Sequence, residues 1–232
     1  MKIIVGNWKM NGNEHEKTAM IQALSEIDTK NTIILCLPFT LLGGKNKNVL
    51  IGAQNISEHE NGAYTGDISG QMIAETGAKY VIVGHSERRF YHHETNELVL
   101  AKANAAIKSK LIPIICIGET LAEKESGTTI TVVKEMLDTC LPAAGKFIVA
   151  YEPRWAIGTG LTPTIKETEK IYEIIYEYLK SHGHGATPIL YGGSVSPKNA
   201  SEFASIPHVS GLLVGGASLK SETFLPIIKS IK

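Results

Sequence analysis

The chain predicts a single α/β domain, a closed (β/α)8 barrel, and three observations carry that prediction. Eight short runs of mostly Ile, Val and Leu are spread along the 232 residues. Helical patterns lie between them, and no linker or change of composition breaks the alternation. An open doubly wound sheet would show fewer such units and a GxGxxG turn, which the chain lacks.

The elements follow in order. The first run, Ile3–Gly6, sits in MKIIVGNWKM, where Lys9 interrupts the apolar stretch and no small-residue cleavage site follows. It reads as a strand rather than a signal peptide. Met20, Ala23, Leu24 and Ile27 keep helical spacing. Thr32–Leu37 is the second run and Val49–Gln54 the third. Only PFTLLGGKNKN, Pro38–Asn48, separates them, and Gly43-Gly44 leaves room for about two helical turns. The second βα unit is therefore expected to be shortened, with a minimal or irregular helix. Tyr80–Gly84, Ile112–Ile117, Phe147–Tyr151, Ile189–Tyr191 and Gly211–Val214 complete the eight. Such continuous apolar runs belong to parallel strands covered on both faces. The clearest helical stripe is Ile171, Ile174, Ile175, Tyr178 and Leu179. It follows Thr164-Ile165-Lys166-Glu167, which reads as a capping box. The whole of 1–232 is read as one domain.

Composition narrows the function. Lys plus Arg and Asp plus Glu both total 23, so there is no basic field for nucleic acid and any anion needs a local site. No run approaches the roughly 20 apolar residues that span a bilayer. Cys36, Cys116 and Cys140 form no CxxC pair, and the first and second lie in apolar runs; buried thiols in a reducing cytoplasm are expected. Neither His92-His93 nor His182-Gly183-His184 comes with Cys or carboxylate at a zinc spacing, so no metal is expected.

Period two marks the residues that emerge at strand ends. Ile148, Ala150 and Glu152 share a face, and AYEPRWAIGTG carries Glu152 into a loop closed by Gly158 and Gly160. A solvated Glu is the ordinary reading of a terminal acid; the shared face favours a general base under a lid. Ile3, Val5, Asn7 and Lys9 form another row, which gives Lys9 an anion-binding role over that of a surface lysine. Val81, Val83 and His85 form a third, with a helical turn starting at Ser86-Glu87, whose positive end disfavours imidazolium. Gly192-Gly193-Ser194 and Gly215-Gly216 follow the seventh and eighth runs. Backbone N–H groups there can approach an anion closely, and these loops commonly hold phosphate in such barrels.

Taken together, GNWKMNG (6–12), AQN (53–55), ENGAYTG (60–66), VGHSERR (83–89), CIGET (116–120), the Glu152 segment, YGGSV (191–195) and LLVGGASL (212–219) resemble the triosephosphate isomerase family. They run collinear with it from the first strand to the last. The resemblance implies a TIM barrel enzyme that interconverts dihydroxyacetone phosphate and D-glyceraldehyde 3-phosphate in glycolysis and gluconeogenesis, without cofactor. In that family a neutral histidine electrophile faces a glutamate base, so the roles of His85 and Glu152 are taken over from it. Lys9 would stabilise the enediolate and Asn7 position the substrate. Gly158, Ser194, Gly215 and Gly216 would join Asn7 and Lys9 in binding its phosphate end. Glu87 and Cys116 would support the site; a structural ion pair is the alternative for Glu87 and Arg88. ENGAYTG resembles a dimer loop, with Thr65 near Asn7 and Lys9 of a second copy, so a cytoplasmic homodimer is implied; a Gly-rich surface loop is the plainer reading.

The sequence also departs from the family. Arg154 stands where Val or Ile is usual, and Leu161-Thr162-Pro163 replaces the Lys-Thr-Ala hinge. Pro188 and Ser210 replace an Arg–Asp pair, and Asp67 replaces a Glu expected to contact Arg88. Another phosphosugar enzyme, such as an epimerase or Schiff-base aldolase, would share the phosphate loops, but an aldolase needs a lysine on an inner strand. A non-catalytic phosphometabolite-binding paralogue would tolerate loss of Glu152 or His85, and the chain keeps both.

Overall fold

A computed structural model describes residues 1–44, 48–157 and 161–231. The strands are β1 (Ile3–Asn7), β2 (Thr32–Leu37), β3 (Leu50–Ala53), β4 (Tyr80–Val83), β5 (Ile112–Ile117), β6 (Ile148–Tyr151), β7 (Ile189–Tyr191) and β8 (Val209–Val214). Between and after them run α1 (Glu14–Ser25), α2 (Gly70–Glu75), α3 (Ser86–Tyr91), α4 (Asn96–Lys108), α5 (Leu121–Glu125), α6 (Thr129–Cys140), α7 (Ile165–Ser181), α8 (Ala200–Ala204) and α9 (Ser221–Ser230). Each strand pairs in parallel with the next, and β8 returns to β1, so the sheet closes into a barrel. Ile3 lies opposite Thr32 on one side and Gly211 on the other.

Two apolar layers explain why the strands read as continuous hydrophobic runs. Val5, Ile34, Ile82, Ile114, Ile148, Leu190 and Leu213 fill the barrel with Cys36, Cys116 and Ala150. The alternate residues, among them Ile4, Leu35, Val81, Val83, Ile115 and Val149, pack under the helices. Side-chain caps start the helices where the sequence provides them. Asn13, Ser69 and Thr95 each accept a backbone N–H of the following turn. Thr120 and Thr164 form full capping boxes, the second as expected.

The shortened second unit is present: a single 3-10 turn, Phe39–Leu41, is the only helical element between β2 and β3 among the described residues. Two helical expectations need adjustment. α1 ends at Ser25, so Ile27 packs against the core from beyond the helix, its N–H donating to Leu24 O. In α7 Ile171, Ile175 and Leu179 are buried, but Ile174 and Tyr178 are only half-buried; Tyr172, on the same face, is fully enclosed and donates to Leu190 O.

Strict alternation stops at the end of β4. On β4 the inward residues are Tyr80 and Ile82, while Val81 and Val83 face the helices. His85 does not extend the Val81–Val83 row, because Gly84 takes a left-handed conformation, φ +66°, and breaks the period. A Cβ on Gly84 would also lie 2.7 Å from Val99 Cγ2.

Candidate active site

Glu152 continues the inward row of Ile148 and Ala150 past the end of β6 and is 2% exposed. Its N–H donates to Ile117 O at 2.7 Å, which fixes the backbone to the end of β5. Its carboxylate meets two groups from the β4–α3 junction. Oε2 accepts the Ser86 N–H at 3.2 Å, and Oε1 lies 3.2 Å from His85 Nε2.

His85 is the N-cap of α3, and its Nδ1 accepts the Glu87 N–H at 3.2 Å. An accepting Nδ1 leaves the neutral ring with its proton on Nε2, aimed at Glu152. Glu87 Oε2 is 3.7 Å from Nδ1, too far for a hydrogen bond, and the other oxygen of that carboxylate lies 2.5 Å from Lys9 Nζ. Glu87 thus stands as an acid beside Lys9, which is the supporting place that the resemblance implies for it, and not as the partner of Arg88. Arg88 instead has Glu94 as its partner, at 2.5 Å, while Asp67 accepts from the Ser57 hydroxyl at 2.6 Å; the two do not meet within the chain.

Lys9 reaches the site by a different route from the one its spacing suggested. β1 ends at Asn7, and Lys9 turns into a left-handed conformation, φ +53°, with its N–H donating to Asn7 Oδ1 at 3.0 Å. Asn7, Lys9, His85 and Glu152 then line one cavity of about 150 Å³ together with Gly192, Gly193, Ser194, Gly215 and Gly216. Among the described residues, the N–H groups of Gly193, Ser194 and Gly216 make no hydrogen bond to the chain. Free amides facing a cleft that also holds an ammonium suit an anionic group. Gly192 has to lack a side chain, since a Cβ there would stand 2.7 Å from Glu152 Cγ. Cys116 lies on the inner face beside this carboxylate. Burial, and next the Glu152 charge, push its thiol far above the usual range, so it remains neutral. Gly158 lies outside the described residues, and Thr65 is exposed in the loop after Glu60, away from the cavity.

Three supporting residues were not singled out from sequence. Glu119, 2% exposed, accepts from Tyr151 Oη at 3.0 Å and Trp155 Nε1 at 2.8 Å, and its backbone O takes the Arg154 N–H at 3.0 Å. It therefore ties down both sides of Glu152. Arg89 donates to Gly84 O at 2.8 Å and Cys116 O at 3.2 Å, bracing the turn that presents His85. Buried Lys102 donates to Glu94 Oε1 at 2.5 Å and to Asn55 Oδ1 at 3.0 Å, which gives the AQN motif a structural task. All three lie in or contact the quoted motifs, but their partners come from other elements.

The family model described as triosephosphate isomerase matches residues 2–231. The triosephosphate isomerase of Bradyrhizobium diazoefficiens is 45% identical over 241 residues, covering 98% of this chain and 96% of the relative. That of Albidiferax ferrireducens is 44% identical over 242 residues, covering 99% and 98%. A crystal structure of triosephosphate isomerase from Bartonella henselae superposes with a TM-score of 0.91 at 37% identity, covering 99% of this chain and 98% of that one.

Proposed function

The chain belongs to the triosephosphate isomerase family, and from that premise we propose how its residues interconvert dihydroxyacetone phosphate and D-glyceraldehyde 3-phosphate. It is an isomerase of glycolysis and gluconeogenesis, moving a carbonyl between adjacent carbons through an enediol(ate). The observation that carries the site assignment is the 3.2 Å approach of His85 Nε2 to Glu152 in the cavity that also contains Lys9.

In our reading Glu152 removes the proton from the carbon next to the carbonyl. The His85 Nε2–H, which faces Glu152 in the free site, turns to the substrate oxygens instead. It protonates the carbonyl oxygen and takes back the proton of the neighbouring hydroxyl, so the carbonyl moves by one carbon. Glu152 then returns its proton to the other carbon. Lys9 offsets the charge that develops on oxygen, and Asn7, which holds the Lys9 backbone, also orients the substrate. The phosphate is assigned to the amides of Ser194, Gly215 and Gly216 and the loop before them. Glu87 positions Lys9, and Cys116 supplies a neutral wall behind Glu152.

We also propose that 1–232 is one catalytic domain and that it works as a cytoplasmic homodimer. Residues 60–67 are exposed throughout, and Met10, Phe90 and Tyr91 are 96%, 72% and 70% exposed. Such apolar side chains suit an interface with a second copy, with Thr65 beside its cleft. Buried free thiols suit a reducing compartment. Sedimentation that finds a fully active monomer would exclude the inserted loop.

The central test is a coupled assay of the purified chain with dihydroxyacetone phosphate, with and without chelator. Glu152→Gln should lower kcat by about a thousandfold with KM little changed, since it keeps the volume but removes the base. Near-normal turnover in that variant would take Glu152 out of the base role.

A further inference from the structure

All eight strands run parallel, so their first residues share one face, opposite the catalytic cleft. Lysines gather there. Lys2, Lys30, Lys79, Lys110 and Lys146 stand within two residues of the starts of β1, β2, β4, β5 and β6, and no Asp or Glu occupies the two positions before any strand. Lys30, Lys79, Lys110 and Lys146 form no ion pair among the described residues. Glu26, Asp28 and Glu75 lie further out in the same connections, so the positive charge is concentrated at the rim beside the strand starts.

On this face a cavity of about 400 Å³ opens beside Ile3, Tyr80, Ile112, Lys146, Phe147 and Ile148. That volume falls within the range of small-molecule sites, roughly 300–1,000 Å³. Ile3, Tyr80 and Ile112 form the outermost layer of the barrel interior and are only partly buried. The barrel therefore ends here in an apolar floor that is left partly open among the described residues. His184 packs edge-on against Phe147, ring centroids 5.0 Å apart, and forms a wall. Two donors flank the floor. The Tyr80 hydroxyl and the Lys146 ammonium both lack a hydrogen-bond or ion-pair partner among the described residues. Burial raises the Tyr80 phenol above its usual range, so at neutral pH it donates.

An inorganic anion would leave the floor wet, and a plain hydrocarbon would strand both donors. We propose that this cavity binds a small aromatic or branched aliphatic carboxylate, its hydrocarbon on Ile112 and Phe147 and its carboxylate between Lys146 and Tyr80. A charge-assisted contact and an uncharged one then share the anion. The proposal does not depend on the isomerase site, which lies at the other end of the strands.

Calorimetric titration of the full chain with naphthalene-2-carboxylate tests it, with naphthalene-2-methanol and inorganic phosphate as controls. The carboxylate should saturate a single site, and the neutral alcohol should bind about tenfold more weakly. Lys146→Glu should weaken the carboxylate by about tenfold or more, and Tyr80→Phe by about threefold to tenfold, with isomerase turnover unchanged in both. Lys146→Ala, a milder change at an exposed position, carries the same test should the charge reversal fail to fold. Absence of saturation, equal affinity in the Lys146 variants, or displacement of the probe by inorganic phosphate would each overturn the proposal, the last by putting the probe in the catalytic cleft. Tighter binding of hexaglutamate that survives Tyr80→Phe would also overturn it, making the lysines a surface for acidic polypeptides.

Discussion

Lys9 combines a charge placed in the cleft with an uncommon backbone. Its φ of +53° is one that side chains with a Cβ adopt at a cost of roughly 1–2 kcal/mol and glycine adopts freely. Replacing Lys9 by Ala or by Gly removes the same ammonium and leaves Glu87 equally unpaired, so both variants should lose isomerase activity. The Gly variant should nevertheless be about 1 kcal/mol more stable than the Ala variant in urea unfolding, because only it relieves the strain. Equal stabilities would mean that the backbone relaxes once the ion pair is gone. Glu119 gives a second test. Tyr151→Phe deletes the hydroxyl that meets Glu119 Oε2 at 3.0 Å and leaves a buried carboxylate oxygen short of a donor. A loss of about 1–3 kcal/mol is expected, against near-neutrality for a Tyr→Phe change at exposed Tyr91. The reading of single residues from sequence divides along the same line. Glu152 was legible because it continues a regular strand face. Glu119 was not, because its work depends on a phenol from β6 and an indole from the turn after it. Lys9 was placed in the right cavity by alternation, although alternation had already stopped at Asn7.

At the scale of elements the eight strands were legible to within two residues, the largest difference being at the start of β8, Val209 rather than Gly211. Ile112–Ile117, Thr32–Leu37 and Ile189–Tyr191 have the bounds that their composition predicts, because strands buried on both faces tolerate little besides apolar side chains. The shortened second unit was legible too, since Gly43-Gly44 and a short connection leave room for little helix, and a 3-10 turn is what stands there among the described residues. What the pattern could not show was the direction in which β4 delivers His85, since that is set by one glycine dihedral. Gly84 and Gly77 separate the two demands on such a glycine. Both have positive φ, +66° and +90°, but a Cβ on Gly84 would press on Val99, whereas one on Gly77 would meet nothing within 4 Å. Gly77→Ala should therefore cost about 1 kcal/mol and leave kcat intact. Gly84→Ala should cost more by the overpacking, about 1–3 kcal/mol further, and should lower kcat as the β4–α3 turn shifts. Chemical denaturation and steady-state kinetics on the pair would check this, and equal effects would show that the Val99 contact yields freely.

For the molecule as a whole, the groups buried in making the barrel set how stability responds to pH. Burial raises the thiols of Cys36 and Cys116 and the phenols of Tyr151 and Tyr172 above their usual ranges. Each of these acids is easier to ionise in the unfolded chain than in the folded one. Their contribution is complete below the unfolded values, about 8.5 for Cys and 10 for Tyr, and is lost as pH rises toward the folded ones. The acid side depends on Glu94. Burial alone would raise its carboxyl, but the hydrogen bonds and charges of Lys102 and then Arg88 outweigh it and leave the group below its usual range. A lowered carboxyl stabilises above its unfolded value, about 4.3, and that stability disappears as pH falls through the folded value. Urea unfolding under reductant should thus give a plateau at neutral pH, a decline starting above about pH 8.5 that steepens beyond about 10, and a separate decline below about pH 5. Cys36→Ala should flatten the first alkaline step while Glu94→Gln removes part of the acid one, so the two limbs can be assigned independently. Stability that stayed level to about pH 11 would show that water reaches the barrel interior on opening short of unfolding. In that case the neutrality of Cys116 beside Glu152 would have to come from the carboxylate's charge alone rather than from the closed packing around it.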